Sequence, residues 1–189
     1  MIPFTVKENS MHFLLGIDRR TRELTDLGGG VKCGETLIDT GYREFTEESC
    51  KIFQRVVSRE TLKMSPAVTN KKRTTAIFFV RVDPMWLDHA ETKFCEFQRY
   101  LSMNKYLELI GLKWVTFKDF KNVAFNHKNQ CMWRRIQNLL RSNTSWDELQ
   151  TVLLFGLDLT TAIKNSWQCM LTCHNNYRYC WCKGACGSF

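Results

Sequence analysis

The sequence predicts an α/β domain, and three observations carry that expectation. Short runs rich in β-branched and aromatic residues, above all Thr74 to Val82, read as strands. Thr36 to Phe53 places apolar residues at steps of three and four, the period of a helix with one buried face. The composition supplies a core: 44% of the 189 residues are hydrophobic and 24% charged, with only 3 Pro and 10 Gly. Such a chain is neither disordered nor of low complexity.

The elements follow in order. His12 to Gly16 is an apolar run that ends in the charged segment Asp18 to Arg22, a strand leaving into a turn. Leu24 to Leu27 is a short partner strand, and Gly28, Gly29 and Gly30 form a loop. In the predicted helix, Ile38, Tyr42, Phe45, Ser49 and Ile52 share one face. Ser65 and Pro66 break the pattern, and a basic turn, Asn70 to Arg73, leads into the strand Thr74 to Val82. The stretch from Asp83 to about Tyr106 is polar and poorly periodic. Leu112 to Phe117 reads as a further strand, and Cys131 to Arg141 and Trp146 to Phe155 as two closing helices. No internal repeat is present. The composition shifts near Asn165, which divides the chain into a domain over residues 1–164 and a Cys-rich tail over residues 165–189.

The charge balance is 27 basic against 19 acidic residues, or +8, which favours polyanionic partners and names no protein partner. No stretch approaches the ~20 apolar residues of a membrane span; the longest, Val152 to Leu159, is interrupted by Gly156 and Asp158. No basic segment followed by an apolar one opens the chain, so a signal peptide is not expected. Cysteine numbers nine, with five of them in the tail. An odd count without a secretory signal favours reduced thiols, and the expected location is intracellular, in the cytoplasm, with no membrane association.

The segment richest in chemistry is Gly29 to Lys51. Glu44, Glu47 and Glu48 stand at i, i+3 and i+4 of the predicted helix, which stacks three carboxylates on one face. Like charges so close repel one another, and a hard divalent cation with oxygen ligands resolves that repulsion. Without a cation the same residues are simply a solvated face. Arg43 lies where it can pair with a neighbouring carboxylate and hold its rotamer. The glycine run upstream lets backbone approach an anion or a metal.

These residues have a fixed spacing. Gly29 is followed by five residues and Glu35, then by seven residues and Arg43, Glu44, Phe45, Glu47 and Glu48. The segment resembles the Nudix box, G-x5-E-x7-R-E-U-x-E-E-x-G-U with U a bulky apolar residue, and fills seven of its nine specified positions. Cys50 stands at the motif's last glycine and Lys51 at its last apolar position. Cysteine adopts a left-handed conformation less readily than glycine. The helix is therefore expected to end differently from the motif, with Ile52 as the apolar anchor one residue late.

The resemblance covers about Met1 to Arg141 and implies a Nudix-like α/β/α sandwich around a mixed β-sheet. It also implies hydrolysis of a nucleoside diphosphate linked to another moiety, with Mg²⁺ or Mn²⁺ as cofactor. Glu44, Glu47 and Glu48 would be metal ligands, or two of them ligands and the third the base, joined by the backbone carbonyl of Gly28. Glu35 and Arg43 would orient them. Glu108, shortly before a strand expected to begin at Trp114, would be a further ligand or base. Gly29, Gly30 and the basic turn Lys71, Lys72 and Arg73 would meet the substrate.

The substrate's second moiety stays open. Lys71, Lys72 and Arg73, with Arg134, Arg135 and Arg141, would steer a long polyanion such as capped RNA, which makes mRNA decapping one expectation. The alternatives are a diphosphoinositol polyphosphate hydrolase and a non-catalytic nucleotide- or RNA-binding module. In the tail, Cys169, Cys173, His174, Cys180, Cys182 and Cys186 offer soft ligands for zinc, but not at a repeated C-x2-C spacing. An appended tail is the expected reading. Trp86, His89 and His127 have no partner at a telling spacing and read as structural.

Overall fold

The chain opens on a hairpin. Strand β1 (Ile2–Lys7) turns back into β2 (Ser10–Asp18) with Lys7 opposite Ser10. The two turn residues, Glu8 and Asn9, both have positive φ, 51° and 61°, the backbone of a type I′ turn. The computed structural model describes residues 1–72, 74–101, 107–125, 132–143 and 145–155. The Cys-rich tail, Arg73, His127 and Cys131 lie outside them. Among the described residues no helix is long and apolar enough to cross a membrane.

A mixed sheet forms around this hairpin. β3 (Leu24–Thr25) and the long β6 (Leu109–Thr116) both pair antiparallel with β2. On the other side β1 runs parallel to β5 (Ala76–Arg81), which pairs antiparallel with β4 (Ala67–Thr69). Alternate residues feed two separate cores. Leu14, Phe78 and Val80 enter the first, and Phe13, Leu15, Ile77 and Phe79 enter the second.

Helices cover both faces. Helices α1 (Leu37–Glu48), α2 (Arg59–Met64) and α3 (Trp86–Leu101) contribute Ile38, Phe45, Leu62, Trp86, Ala90 and Phe94 to the first core. Helices α4 (Phe117–Phe125), α5 (Arg134–Asn143) and α6 (Trp146–Phe155) contribute Phe120, Ile136, Leu140, Trp146 and Leu153 to the second. Phe120 stacks on Phe13 with ring centroids 4.5 Å apart, which locks α4 onto the centre of the sheet. The expected α/β class with a mixed sheet is what the molecule has.

Several elements differ from the sequence expectation. β1, β4, α2 and α4 were not anticipated. The polar stretch after Asp83 contains α3, a helix of 16 residues. Among its described side chains the buried stripe is Trp86, Ala90 and Phe94, and two polar side chains fix it to β6. Glu91 accepts from the Trp114 amide at 3.0 Å, and Gln98 donates to the Leu109 carbonyl at 3.0 Å. The strand expected over Leu112 to Phe117 runs from Leu109 to Thr116, and Trp114, where the resemblance would start it, stands in its interior.

Helix α1 ends at Glu48 rather than Phe53, and it ends where the motif's glycine would end it. Cys50 takes the left-handed conformation, with φ 53°, and Lys51 follows at 64°. The Cys50 amide donates to the Glu47 carbonyl at 3.2 Å and the Lys51 amide to the Thr46 carbonyl at 2.9 Å. That pair of bonds is a Schellman motif with cysteine in the glycine position. The expectation of a different ending is corrected, because burial of the Cys50 side chain, 3% exposed, offsets the backbone cost.

Candidate active site

The site is assembled by three consecutive pieces: the end of β3, the glycine loop and helix α1. Thr36 caps the helix. Its hydroxyl oxygen accepts from the Asp39 amide at 3.1 Å, and Asp39 reaches back to the Thr36 backbone, a capping box that sets where the first turn begins. Before it, Gly34 adopts φ 82°, a value that favours glycine. This turn brings the Glu35 amide to the Lys32 carbonyl at 3.1 Å and aims the Glu35 side chain at the helix.

Arg43 is the hub. Its Nε donates to Glu35 Oε1 at 2.6 Å and its Nη2 to Glu35 Oε2 at 2.9 Å, a bidentate pair. Its Nη1 donates to Glu44 Oε1 at 2.6 Å, and Glu47 Oε2 lies 3.7 Å away. Nη2 also reaches the Gly30 carbonyl at 3.0 Å, which ties the glycine loop to the helix. Glu35 accepts further bonds from the Lys32 amide and the Thr40 hydroxyl. The Arg43 hydrogen bonds, with that amide, hold the Glu35 carboxyl down to about 2. The same contacts raise the Arg43 guanidinium above its ordinary value.

Glu48 is in a different environment. It turns inward, one of its oxygens has no hydrogen-bond partner among the described residues, and the Gly28 amide donates to the side chain. Burial pushes its carboxyl up to about 9, and the charges of Asp26 and Glu108 push the same way, against the Met1 amino group and the Gly28 amide.

The glycines are close to both groups. A Cβ on Gly29 would lie 2.5–2.6 Å from the Glu44 carboxylate, and one on Gly28 would lie 2.7 Å from Asp26 Oδ2. A Cβ on Gly30 would meet nothing within 4 Å. The loop also walls a cleft of about 140 Å³, together with the first turns of α1, the start of β5 and the first turn of α5. The glycine loop thus borders both the carboxylate face and the cleft.

The predicted residues sort accordingly. Glu35, Arg43, Glu44 and Glu47 form one network, and Glu48 lies beside it. Glu108 is exposed at the start of β6, near enough for its charge to act on Glu48. Among the described residues no three of the His, Cys, Asp and Glu side chains converge on one point, because Arg43 draws Glu44 to itself. Lys71 and Lys72 are exposed on the turn between β4 and β5, whose Thr74 and Thr75 line the cleft. Arg135 also lines the cleft, whereas Arg141 is committed to the fold, donating to the Ala124 carbonyl at 2.6 Å. The sequence reasoning missed Asp26, Gly34 and Thr40. Only Gly34, a glycine one residue before a motif glutamate, carried a sequence signal.

No family model matches the chain, and no curated protein matches it. A function has to be argued from these residues and their geometry.

Proposed function

We propose that the chain is a divalent-metal-dependent pyrophosphohydrolase of the Nudix type. It acts on a nucleoside diphosphate linked to a second moiety, with the 5′ cap of RNA as one such substrate. The observation that carries this reading is the strand, glycine loop and helix unit that sets an Arg43-held carboxylate network beside a half-buried Glu48 with an unpartnered, buried oxygen.

The donor set fits Mg²⁺ or Mn²⁺. It is all oxygen, the charges repel one another, and Glu48 has acceptor capacity that no described group uses. Glu44, Glu47 and Glu48 would hold the ion with the Gly28 carbonyl, joined by Glu108, whose charge acts on Glu48. When bound, the ion neutralises pyrophosphate charge and lowers the pKa of a coordinated water. The chain's own part is orientation. Arg43 fixes the rotamers of Glu35 and Glu44, and the missing side chain at Gly29 lets the loop lie against Glu44. The exposed Lys71, Lys72 and Arg135 give the cleft side a positive rim that attracts a polyanion.

The test is phosphate or nucleotide release, with Mg²⁺ and then Mn²⁺, from capped RNA, nucleoside triphosphates, dinucleotides, ADP-ribose and diphosphoinositol polyphosphates. Turnover should depend on the metal and fall by about 10³-fold or more in a Glu47→Gln, Glu48→Gln variant. Binding of these ligands with no turnover of any of them would replace the hydrolase with a nucleotide-binding module.

A further inference from the structure

Charge is segregated along the chain. Residues 61–82 and 120–146 carry ten Lys and Arg and no Asp or Glu, in a chain of net charge +8, so the remaining residues sum to −2. The fold brings the two basic stretches together. Val68 of β4 packs with Ile136, Leu139 and Leu140 of α5 in the second core, and Thr74, Thr75 and Arg135 line the same cleft. At about 140 Å³ the cleft is well under the ~300 Å³ of a pocket that encloses a drug-sized molecule, so it fits one small group. The polar side chains it offers are donors. Asn70 braces the turn that carries the two threonines: its Oδ1 accepts from the Thr74 and Thr75 amides at 2.8 and 3.2 Å. Its Nδ2 donates to the Thr74 hydroxyl oxygen at 3.0 Å, which leaves the Thr74 hydrogen to donate elsewhere. Arg135 is exposed, with its guanidinium 5.4 Å from the centre of the Trp133 ring, and no carboxylate among the described residues pairs with it. Asp26, the acid among the described lining residues, is closed to a ligand. Its Oδ1 has essentially no accessible surface and its Oδ2 accepts from the Met1 amino group at 2.8 Å.

We infer that this cleft is a phosphate site that works without metal, and that it receives a phosphate of the substrate outside the scissile pyrophosphate. A guanidinium presents a planar fork of donors that matches two phosphate oxygens, and the threonine hydroxyls supply further donors. Arg135 and Ile136 belong to the first turn of α5, which adds the positive end of that helix's dipole to the wall. A neutral sugar or base would leave the Arg135 charge unanswered, and a phosphate does not. The glycine loop borders both this cleft and the Glu44 carboxylate, so a phosphate held here and a pyrophosphate held there belong to one ligand. Only this placement rests on the hydrolase reading. It narrows the substrate class to nucleotides with a phosphate beyond the pyrophosphate, ahead of those that end in a bare sugar.

The site itself is tested without turnover. Titration calorimetry on the full chain, with a chelator and no divalent metal, uses inorganic phosphate as the probe. The wild type should show one saturable site. Arg135→Ala should weaken it by about tenfold or more, and Thr75→Val by a few-fold. Arg134→Ala removes the same charge one residue outside the lining and should weaken it by less than about twofold. No saturable binding, or equal losses from Arg134→Ala and Arg135→Ala, would reduce the site to diffuse surface charge and overturn the inference. The placement is tested by steady-state kinetics with Mg²⁺ on two substrate pairs. NADP⁺ adds a terminal phosphate to NAD⁺, and GpppApA adds an internucleotide phosphate to GpppA. At least one pair should show a KM about tenfold lower for the member with the added phosphate, with kcat little changed, and Arg135→Ala should erase that difference. The pair that shows it identifies the source of the phosphate. Equal KM values within both pairs, or a difference that survives Arg135→Ala, would overturn the placement. Phosphate binding with no turnover of any substrate would overturn the hydrolase and the placement and keep the site. Metal-dependent turnover by a chain that binds no phosphate without metal would overturn the site and keep the hydrolase.

Discussion

Two carboxylates on one helix, Glu44 and Glu48, are a single turn apart and live under opposite rules. Glu44 belongs to the network that Arg43 organises, in which Glu35 is held down to about 2 and the guanidinium is raised. Glu48 is pressed into the protein beside Asp26, short of donors and pushed up to about 9. The first arrangement fixes geometry and needs nothing more. The second is unsatisfied, and a cation is the simplest thing to complete it. The helix therefore carries a rigid half and a ligand-dependent half, and each prediction below attacks that division.

The largest expected effect is on stability against pH. A native Glu48 keeps its proton up to about 9, while the unfolded chain releases it near 4.5. Between those values the native state binds more protons than the unfolded one, so stability is highest at the acid end and declines as pH rises. The slope is about 1.4 kcal/mol per pH unit for one proton. Glu35 works in the other direction. Its lowered pKa gives stability that is present above about 4.5 and lost as pH falls through 2, a smaller contribution because solvent screens it. Thermal melts of the metal-free protein should therefore peak near pH 4.5–5. Glu48→Gln should flatten the alkaline limb, and Mg²⁺ should stabilise more strongly as pH rises. A melting temperature that climbs steadily from pH 5 to pH 9 without metal would remove the distinction between the two halves.

Next comes the rigid half. Arg43→Lys keeps the charge but cannot make the forked contact with Glu35 while also reaching Glu44. Turnover should fall 10- to 100-fold, about 1.4–2.7 kcal/mol of barrier, the range for losing a group that orients metal ligands. The melting temperature should fall modestly above pH 5, where the Glu35 pairing contributes, and differ least near pH 2. A comparable loss from Lys63→Ala, at an exposed α2 position, would show that Arg43 has no special role.

A smaller effect is expected at the glycine loop. Gly29→Ala places a methyl 2.5–2.6 Å from the Glu44 carboxylate, which Arg43 is holding. Either the loop or that hydrogen bond must yield, and turnover should drop by up to about tenfold, on the order of 1 kcal/mol. Gly30→Ala, whose Cβ would meet nothing within 4 Å, should lose less. If the two alanines are equivalent in steady-state assays, close approach of the loop to Glu44 is not what the glycine provides.

Much of the rigid half could be read in the sequence, because its parts are local. Glu35, Arg43 and Glu44 sit at fixed offsets on one loop and helix, so spacing alone puts them within reach of each other. The buried half could not. Asp26 draws its meaning from burial and from a partner 25 residues away, which no local pattern encodes. The same division runs through the fold. The strands at Phe13 and Phe79 and the helix at Phe45 announce themselves by period. β1 was hidden by Pro3 and by a turn built from Glu8 and Asn9 instead of the usual asparagine and glycine. Helix α3 was hidden because three buried residues suffice once Glu91 and Gln98 secure it to β6.

The smallest effect is at Cys50, where the sequence departs from its motif and the backbone does not. Holding a non-glycine residue in the left-handed region costs about 1–2 kcal/mol, and Cys50→Gly would release it. The same change gives up the buried thiol, worth about 1 kcal/mol, and adds freedom to the unfolded chain worth roughly 0.4–1 kcal/mol. The terms nearly cancel, so Cys50→Gly should stay within about 1 kcal/mol of the parent in a denaturant titration. Cys50→Ala keeps the backbone cost and still loses the sulfur, so it should be the less stable of the two. Metal-dependent turnover should follow stability in both, because Cys50 is two residues past Glu48 and the Schellman bonds do not depend on its side chain. If alanine proves more stable than glycine, the left-handed turn costs the protein nothing, and the motif's glycine was never needed to end this helix.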